Sequence, residues 1–274
     1  MKPAGLLEVT AVRQVTPRTV RVTFTGDGLG ELEPWPDQQL KLLFPPPGRP
    51  VRLPLAGDDV LRWYQAYLAI PEDERPVMRS YTVRGRDPGR AAIDVDFVLH
   101  PGSAGPATAW ARRAAPGDVL GRYGPDAAYR RPLSTADTLL CAGDETAIPA
   151  IATILSEVDN AVVFVEVADV AEEQPLPGEV HWLHRDGAGH GSRLVEAVRD
   201  AKLPDGSVAA WLAGEAGMVR SLRRHLVGER GWAKDVIEFT GYWRRSLTQD
   251  DAPTPDDLAD AAEKLGDSAG WTGN

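Results

Sequence analysis

Arg79, Tyr81 and Thr82 lie close together in the run RSYTVR, residues 79–84. In an extended strand side chains alternate between faces, so Arg79, Tyr81 and Val83 share one side while Ser80, Thr82 and Arg84 share the other. A guanidinium beside an aromatic plate suits a ligand that joins a phosphate to a flat ring. Further on, HPGSAGPATAWARRAAPGDVLGRYGP (100–125) sets small residues at 103–107 before Thr108 and the helical pattern ATAWARRA. Unpaired amides and the dipole at a helix start bind anions, which makes this loop a candidate pyrophosphate cradle. Its plainer use is a loop capped by Thr108.

A third polar group is AGDETAIPA, residues 142–150. A strand ending at Gly143 and a helix starting near Glu145 put Asp144, Glu145 and Thr146 at the carboxyl edge of a parallel sheet, where ligands bind in such folds. As acids at a helix start, Asp144 and Glu145 also complement its dipole. No GxGxxG accompanies them, so discrimination of the adenine ribose cannot be read.

The elements that hold these groups fall into two sets. LLEVTAVRQV, TVRVTFTG, QQLKLLFP, RSYTVRG and AAIDVDFVLH are short β-rich runs between Gly, Pro and Asp, the pattern of an antiparallel barrel. The insert AYLAIPEDERPVM has no clear assignment. From DTLLCAG onwards the strands AVVFVEVAD and SVAAWLAG alternate with the helical patterns ETAIPAIATILSEV, SRLVEAVRD and GMVRSLRRHLVGER, which implies a mostly parallel sheet. The 274 residues divide into a β-barrel domain over 1–132, an α/β domain over 133–249 and a tail over 250–274. The tail holds seven acids and one lysine, a net −6 of the formal −10. Within it PDDLADAAEKLG reads as a short exposed helix begun by Pro255 and Asp256.

A single cysteine, Cys141, excludes an internal disulfide framework and a cysteine zinc site, and fits a reducing cytoplasm. In its apolar strand it reads as inert. No apolar run suits a secretory signal or a membrane span, and no basic footprint suggests nucleic acid, so a soluble cytoplasmic monomer is expected. GDGLG (26–30) precedes no helical pattern and reads as a hairpin turn. His181 and His184 in HWLHR follow a strand, lack a third ligand and make no metal site. LRRHL (222–226) reads as a solvated helix face.

Taken together, these blocks resemble the ferredoxin-reductase-like flavoproteins, whose Arg-x-Tyr-Thr/Ser signature RSYT matches, and more specifically the siderophore-interacting proteins, flavin-dependent ferric-siderophore reductases. The likeness runs from residue 8 to residue 246 through RSYTVR, VDFVLHPGSAGPATAWA with PGDVLGRYGP, LLCAGDETAIPAI, WLAGEAGMVRSLRRHL with ERG, and GYWRRS. It implies FAD, with Arg79 on a flavin phosphate, Tyr81 stacked on the isoalloxazine, Thr82 near N5, and Ser80 between them in the same strand. It also implies His100 on the dinucleotide and Gly105, Pro106, Ala107 and Thr108 over the pyrophosphate. By the same resemblance Thr146 and Ala147 lie on the nicotinamide side, with Gly214 and Glu215 in the corresponding later turn, and Asp144 at the sheet edge beside them is a further cofactor-binding candidate. Tyr242 and Trp243 are expected to cover a flavin or adenine face, with core packing as their other use. Lys41, Arg130 and Arg244 would supply a cationic rim that concentrates anionic ferric siderophores.

One position departs from the family. Asp126 stands where relatives carry an arginine after Gly-Pro, so the basic pocket would draw on Arg122, Arg130 or Arg131. Hydroxamate and mixed siderophores therefore stay open beside the more anionic triscatecholates. NADH, NADPH or a ferredoxin all fit as electron source. A flavin links two-electron donors to one-electron iron, so no side chain is expected to act as a catalytic acid or base. Two other readings share the fold: a reductase of an oxygenase or of free flavin, and a siderophore-binding module without turnover.

Overall fold

Alternating apolar side chains build the first domain. In the computed structural model, which describes residues 4–54, 60–100, 105–125, 130–245 and 252–269, seven strands form one antiparallel sheet. They are β1 (Ala4–Thr16), β2 (Thr19–Thr25), β3 (Gln39–Phe44), β4 (Val77–Thr82), β5 (Gly85–Asp87), β6 (Ala92–Val98) and β7 (Val119–Tyr123), in the order β4-β3-β7-β1-β2-β6-β5. Val22, Phe24, Leu40, Leu42, Val95 and Phe97 turn inward to a common core. The run RSYTVRGRD joins the sheet's two edges: β4 pairs with β3 at one margin, and β5 then pairs with β6 at the other. One short segment thus closes the barrel.

Three sequence expectations need correction here. GDGLG is not a hairpin turn: its last two residues enter a 3-10 turn at Leu29–Glu31 capped by Gly28, and the next strand, β3, pairs with β4 and β7 rather than with β2. The unassigned insert begins in the last turn of helix α1 (Val60–Leu68), whose Trp63 and Tyr67 pack with Leu43 and Tyr123 on the barrel's outer face. Helix α2 (Pro106–Ala111) is capped at Gly105, not Thr108, because Pro106 fits the first helical position, where no N–H is needed.

The second domain is a five-stranded parallel sheet in the order β10-β9-β8-β11-β12. Its strands are β8 (Thr138–Asp144), β9 (Ala161–Val167), β10 (Val180–His184), β11 (Val208–Glu215) and β12 (Ile237–Trp243). Helix α3 (Ile148–Ile154) packs with Leu139 and Cys141 on one face. Helices α4 (Ser192–Asp200) and α5 (Ala216–Gly228) pack with Leu140 and Ala142 on the other. Cys141 is fully buried, and burial pushes its thiol up to about 12. His181 and His184 lie within β10 rather than after a strand, and no cluster of metal-ligating residues occurs among the described residues.

Two solvated readings also change. In LRRHL, His225 is buried against Glu229 at 2.9 Å and Arg223 lies over the Phe239 ring. Helix α6 (Pro255–Ala269) does not stand free: Asp257 and Asp260 reach Arg220 at 3.4 and 3.2 Å, and Asp257 reaches Arg244 at 2.8 Å. Among the described residues no helix is long and apolar enough to cross a membrane.

Candidate functional site

The register of β3 with β4 fixes which face each residue of RSYT uses. Leu40 opposes Tyr81 and Leu42 opposes Arg79, while Gln39 opposes Thr82 and Lys41 opposes Ser80. Directly opposed residues share a face. Arg79 and Tyr81 therefore belong to the side of the core leucines, and Ser80 and Thr82 to the side of Lys41 and Gln39. The Tyr81 ring lies 4.5 Å from Phe97 and 6.3 Å from Phe44. Trp110 of α2 sits on the same two rings at 5.4 and 5.6 Å, which pins the start of α2 beside Tyr81. Burial raises the Tyr81 phenol, and the charge of Arg79 works against that rise.

This donor set fits a dinucleotide flavin. Gly105 caps α2 without a side chain and Pro106 has no N–H, so the amides of Ala107 and Thr108 have no capping side chain. Those amides and the Arg79 guanidinium suit phosphate oxygens, and the Tyr81 plate suits a ring. Residues 103 and 104 of the expected cradle, and Asp126, lie outside the described residues.

At the carboxyl edge of the second sheet, Asp144 is a hub. It accepts from the Thr146 amide (2.9 Å) and hydroxyl (2.5 Å), the Glu215 amide (2.8 Å) and Trp243 Nε1 (2.9 Å). Burial and then the neighbouring Glu145 charge raise its carboxyl. Gly214, at φ +133, permits this: a Cβ there would come within 2.7 Å of the Asp144 carboxylate. Asp144 thus gathers Thr146, Gly214, Glu215 and Trp243, with its own oxygens already engaged. Ala147 is fully buried in the core under α3, so only its backbone could meet a ligand.

Sequence reasoning missed the adjoining ion network. Arg185 holds Glu145 at 2.6 and 2.8 Å and Glu166 at 3.3 Å. Glu166 also accepts from the Gly191 and Leu194 amides. Burial pushes the Glu145 carboxyl up, but the Arg185 hydrogen bond and charge outweigh it and hold it below its ordinary value. A cleft of about 530 Å³ opens between the domains here, lined by His100, Glu145, Arg185, His190, Arg18 and Asp169 among others. Trp243 lies between His100 (5.0 Å) and His190 (5.1 Å). Burial lowers the His100 pKa.

Tyr242 turns the other way from Trp243. Its ring packs edge-on to Trp211, and its hydroxyl donates to Asp37 Oδ1 at 2.8 Å. Gln39 Nε2 donates to the same carboxylate oxygen (3.0 Å) and to Tyr242 Oη (3.3 Å). Asp37 follows Pro36 and sits in the left-handed region at φ 53, before β3. No local signal links residues so far apart in the chain.

The expected cations differ in availability. Lys41 is exposed and donates to Ser80 Oγ at 2.5 Å, on the face of Thr82; desolvation lowers its pKa. Arg130 and Arg131 are exposed in the interdomain connection. Arg244 is engaged by Asp257. Arg122 cannot serve a surface pocket: it is 1% exposed and donates to the carbonyls of Gly124 and Asp27 at 2.9 Å each, bracing the barrel.

Comparison with known proteins covers nearly the whole chain. Residues 8–129 match the model of the siderophore-interacting FAD-binding domain, and residues 136–246 that of the siderophore-interacting protein. The ferric vibriobactin reductase ViuB of Vibrio cholerae is 33% identical over 256 residues, 89% of this chain and 91% of the relative. The NADPH-dependent ferric-chelate reductase of Escherichia coli is 27% identical, over 86% of this chain and 91% of the relative. Among solved structures, a siderophore utilization protein from T. fusca superposes with a TM-score of 0.78 at 38% identity, covering 92% of this chain and 97% of that one.

Proposed function

The chain belongs to the siderophore-interacting protein family, and from that premise we propose that it is an FAD-dependent ferric-siderophore reductase of the cytoplasm, drawing electrons from NAD(P)H. The observation that supports this best is the strand RSYT. It joins the two edges of the barrel, has the start of α2 fixed beside Tyr81, and carries Thr82 opposite Gln39, which touches Tyr242 of the second domain. Arg79 with the amides of Ala107 and Thr108 would bind the phosphates of FAD, and Tyr81 would support its ring. When bound, the flavin supplies the conversion between a two-electron donor and one-electron iron.

The protein's share is orientation and charge. Thr82 offers a small hydroxyl to the ring edge, and Lys41 on the same face attracts an anionic ferric chelate. With Arg244 engaged by Asp257 and Arg122 buried, the named exposed cations are Lys41, Arg130 and Arg131. That short supply favours hydroxamate or mixed siderophores over triscatecholates of higher negative charge. NADPH dependence of the Escherichia coli relative supports a pyridine nucleotide as donor, with a ferredoxin as the other candidate.

The test is anaerobic. Purified protein loaded with FAD should bleach with NADPH or NADH, then regain its flavin absorbance on mixing with a ferric siderophore while a ferrous chelator reports Fe(II). A protein that takes up no FAD, or a reduced protein that ferric siderophores fail to reoxidise, ends the proposal.

A further inference from the structure

The cleft between the domains opens on the carboxyl ends of β8, β9 and β10, since Glu145, Asp169 and Asp186 follow those strands and all line it. Ligands of open α/β sheets bind outside such strand ends, and about 530 Å³ suits one of nucleotide size. Asp169 follows the second strand of the sheet domain, which pairs beside the first. In dinucleotide-binding folds an acid at that place receives the ribose 2′-hydroxyl. No glycine fingerprint marks it in this sequence.

Asp169 is fixed by its own backbone. Its Oδ1 accepts from the Ala171 amide at 2.9 Å, at the start of the 3-10 turn Val170–Glu172, and its Oδ2 makes no hydrogen bond among the described residues. The Asp186 amide donates to the Ala168 carbonyl at 3.1 Å, which sets Asp186 next to Asp169 across adjacent strand ends. The cleft's arginines are already answered by buried acids. Arg185 holds Glu145 at 2.6 and 2.8 Å and Glu166 at 3.3 Å. Arg18 Nε stands 3.9 Å from Glu172, whose Oε1 is buried without a hydrogen-bond partner, so this guanidinium is its counter-charge. Arg245 stands beside Gly189, further along the loop that Asp186 begins. Burial lowers the pKa of His100 and of His190, which keeps both rings neutral near pH 7. Among the described residues no cation pairs with Asp169 or Asp186.

We propose that Asp169 and Asp186 make this cleft select NADH over NADPH. The inference rests on the flavin-reductase reading above, with a pyridine nucleotide as donor. The two nucleotides differ only in the 2′-phosphate, so everything they share cancels from the preference. NADH offers its ribose hydroxyls as hydrogen-bond donors to the free carboxylate oxygens. NADPH brings a phosphate monoester of nearly two negative charges against the same oxygens. In this the chain parts from its NADPH-dependent relative in Escherichia coli.

The test compares the two nucleotides on the FAD-loaded full chain. At equal, subsaturating concentration NADH should reduce the flavin at least about tenfold faster than NADPH, because like charges in a site reject the wrong partner. Titration calorimetry with ADP-ribose and with its 2′-phosphate, which carry no nicotinamide, should show the same order without turnover. Asp169→Asn keeps an oxygen for the Ala171 amide but loses the charge, and it should cut the preference at least about threefold in both measurements. Adding Asp186→Asn should cut it further. In about 1 M salt the wild-type preference should shrink, a response that a merely structural role for Asp169 would not give. Folding of the variants is checked by retained FAD and an unchanged flavin spectrum, and loss of FAD from Asp169→Asn transfers the decision to Asp186→Asn and to the wild-type ratio. Wild-type protein that takes NADPH as well as NADH, or a preference that both variants leave unchanged, overturns the assignment and leaves the reductase reading standing. A flavin that neither nucleotide reduces, in a protein that a ferric siderophore still reoxidises after photoreduction, overturns it likewise and points to a ferredoxin as donor. Failure of the wild-type protein to bind FAD or to be reoxidised overturns both.

Discussion

Two networks of arginine and carboxylate hold this molecule together, and they differ in where water can reach. Around Arg185, the guanidinium is 5% exposed and Glu166 is 0% exposed, so neither group has an alternative to its protein partners. Around Arg220 and Arg244, the acids of the first turns of α6 reach water: the side chains of Asp256, Asp257 and Asp260 are 74%, 22% and 31% exposed. The same pair of chemical groups is therefore tied to the fold in one place and screened in the other. A buried pair stripped of one member leaves a charge in a poor dielectric, whereas a surface pair exchanges its partner for water.

The largest break of that contrast is Arg185→Ala. It leaves Glu145 and Glu166 buried with no counter-charge, and we expect a loss of about 3–5 kcal/mol in urea unfolding at neutral pH. The sign with pH follows from the same pair. With Arg185 present the Glu145 carboxyl is held below its ordinary value, so its contribution exists above the unfolded pKa and is lost as pH falls. Without Arg185, burial becomes the dominant influence, opposed only by a backbone hydrogen bond and the His190 charge, so the variant is expected to gain stability on acidification relative to wild type. A loss below about 1 kcal/mol would place the Arg185 network with surface pairs.

Next in size is Gly214→Ala, which tests the hub rather than the ion pairs. A methyl there meets the Asp144 carboxylate at 2.7 Å and the Met218 methyl at 2.8 Å, and the residue sits at φ +133. Backbone strain of about 1–3 kcal/mol is expected, with displacement of Asp144. Because Asp144 holds Trp243 Nε1, the tryptophan fluorescence should change along with the midpoint of unfolding. Unchanged fluorescence and stability would show that Asp144 does not depend on the close approach of β11.

The alternation in RSYT, the helical spacing after DTLLCAG and the order of blocks made the two-domain frame readable, because each depends on residues near one another in sequence. Strand β10 was less legible, since HWLH mixes histidine and tryptophan without an alternating apolar face. The α2 cap was misread because Gly-Pro caps by omission, offering neither a Cβ nor an N–H, whereas threonine advertises itself. The deeper gaps concern pairs that only folding brings together. Thr16 donates to Glu172 at 2.5 Å and Asp37 accepts from Tyr242, contacts across 156 and 205 positions that no local pattern encodes. Arg185 likewise follows two histidines that drew attention to metals, while its partners Glu145 and Glu166 lie on other strand ends.

The smallest effect belongs to α6. Arg220→Ala should lower global stability by less than about 1 kcal/mol, as exposed pairs do. The informative signal is local: hydrogen exchange of the α6 amides should quicken in 1 M salt, where screening acts within about 3 Å, while that of β8 should hold. Acid should act in the same direction. The Thr254 amide and hydroxyl, with Arg244, hold Asp257 down to about 2 against an ordinary value of 3.8. Its contribution is therefore present above pH 3.8 and is lost as pH falls towards 2, so docking of α6 should weaken across that window. Deleting residues 251–274 should then leave FAD binding intact, since the helix acids meet Arg220 and Arg244 of the second domain. Should α6 stay protected at 1 M salt and pH 3, apolar contact rather than charge would be what holds it, and loss of FAD on truncation would extend the influence of α6 to the cofactor site.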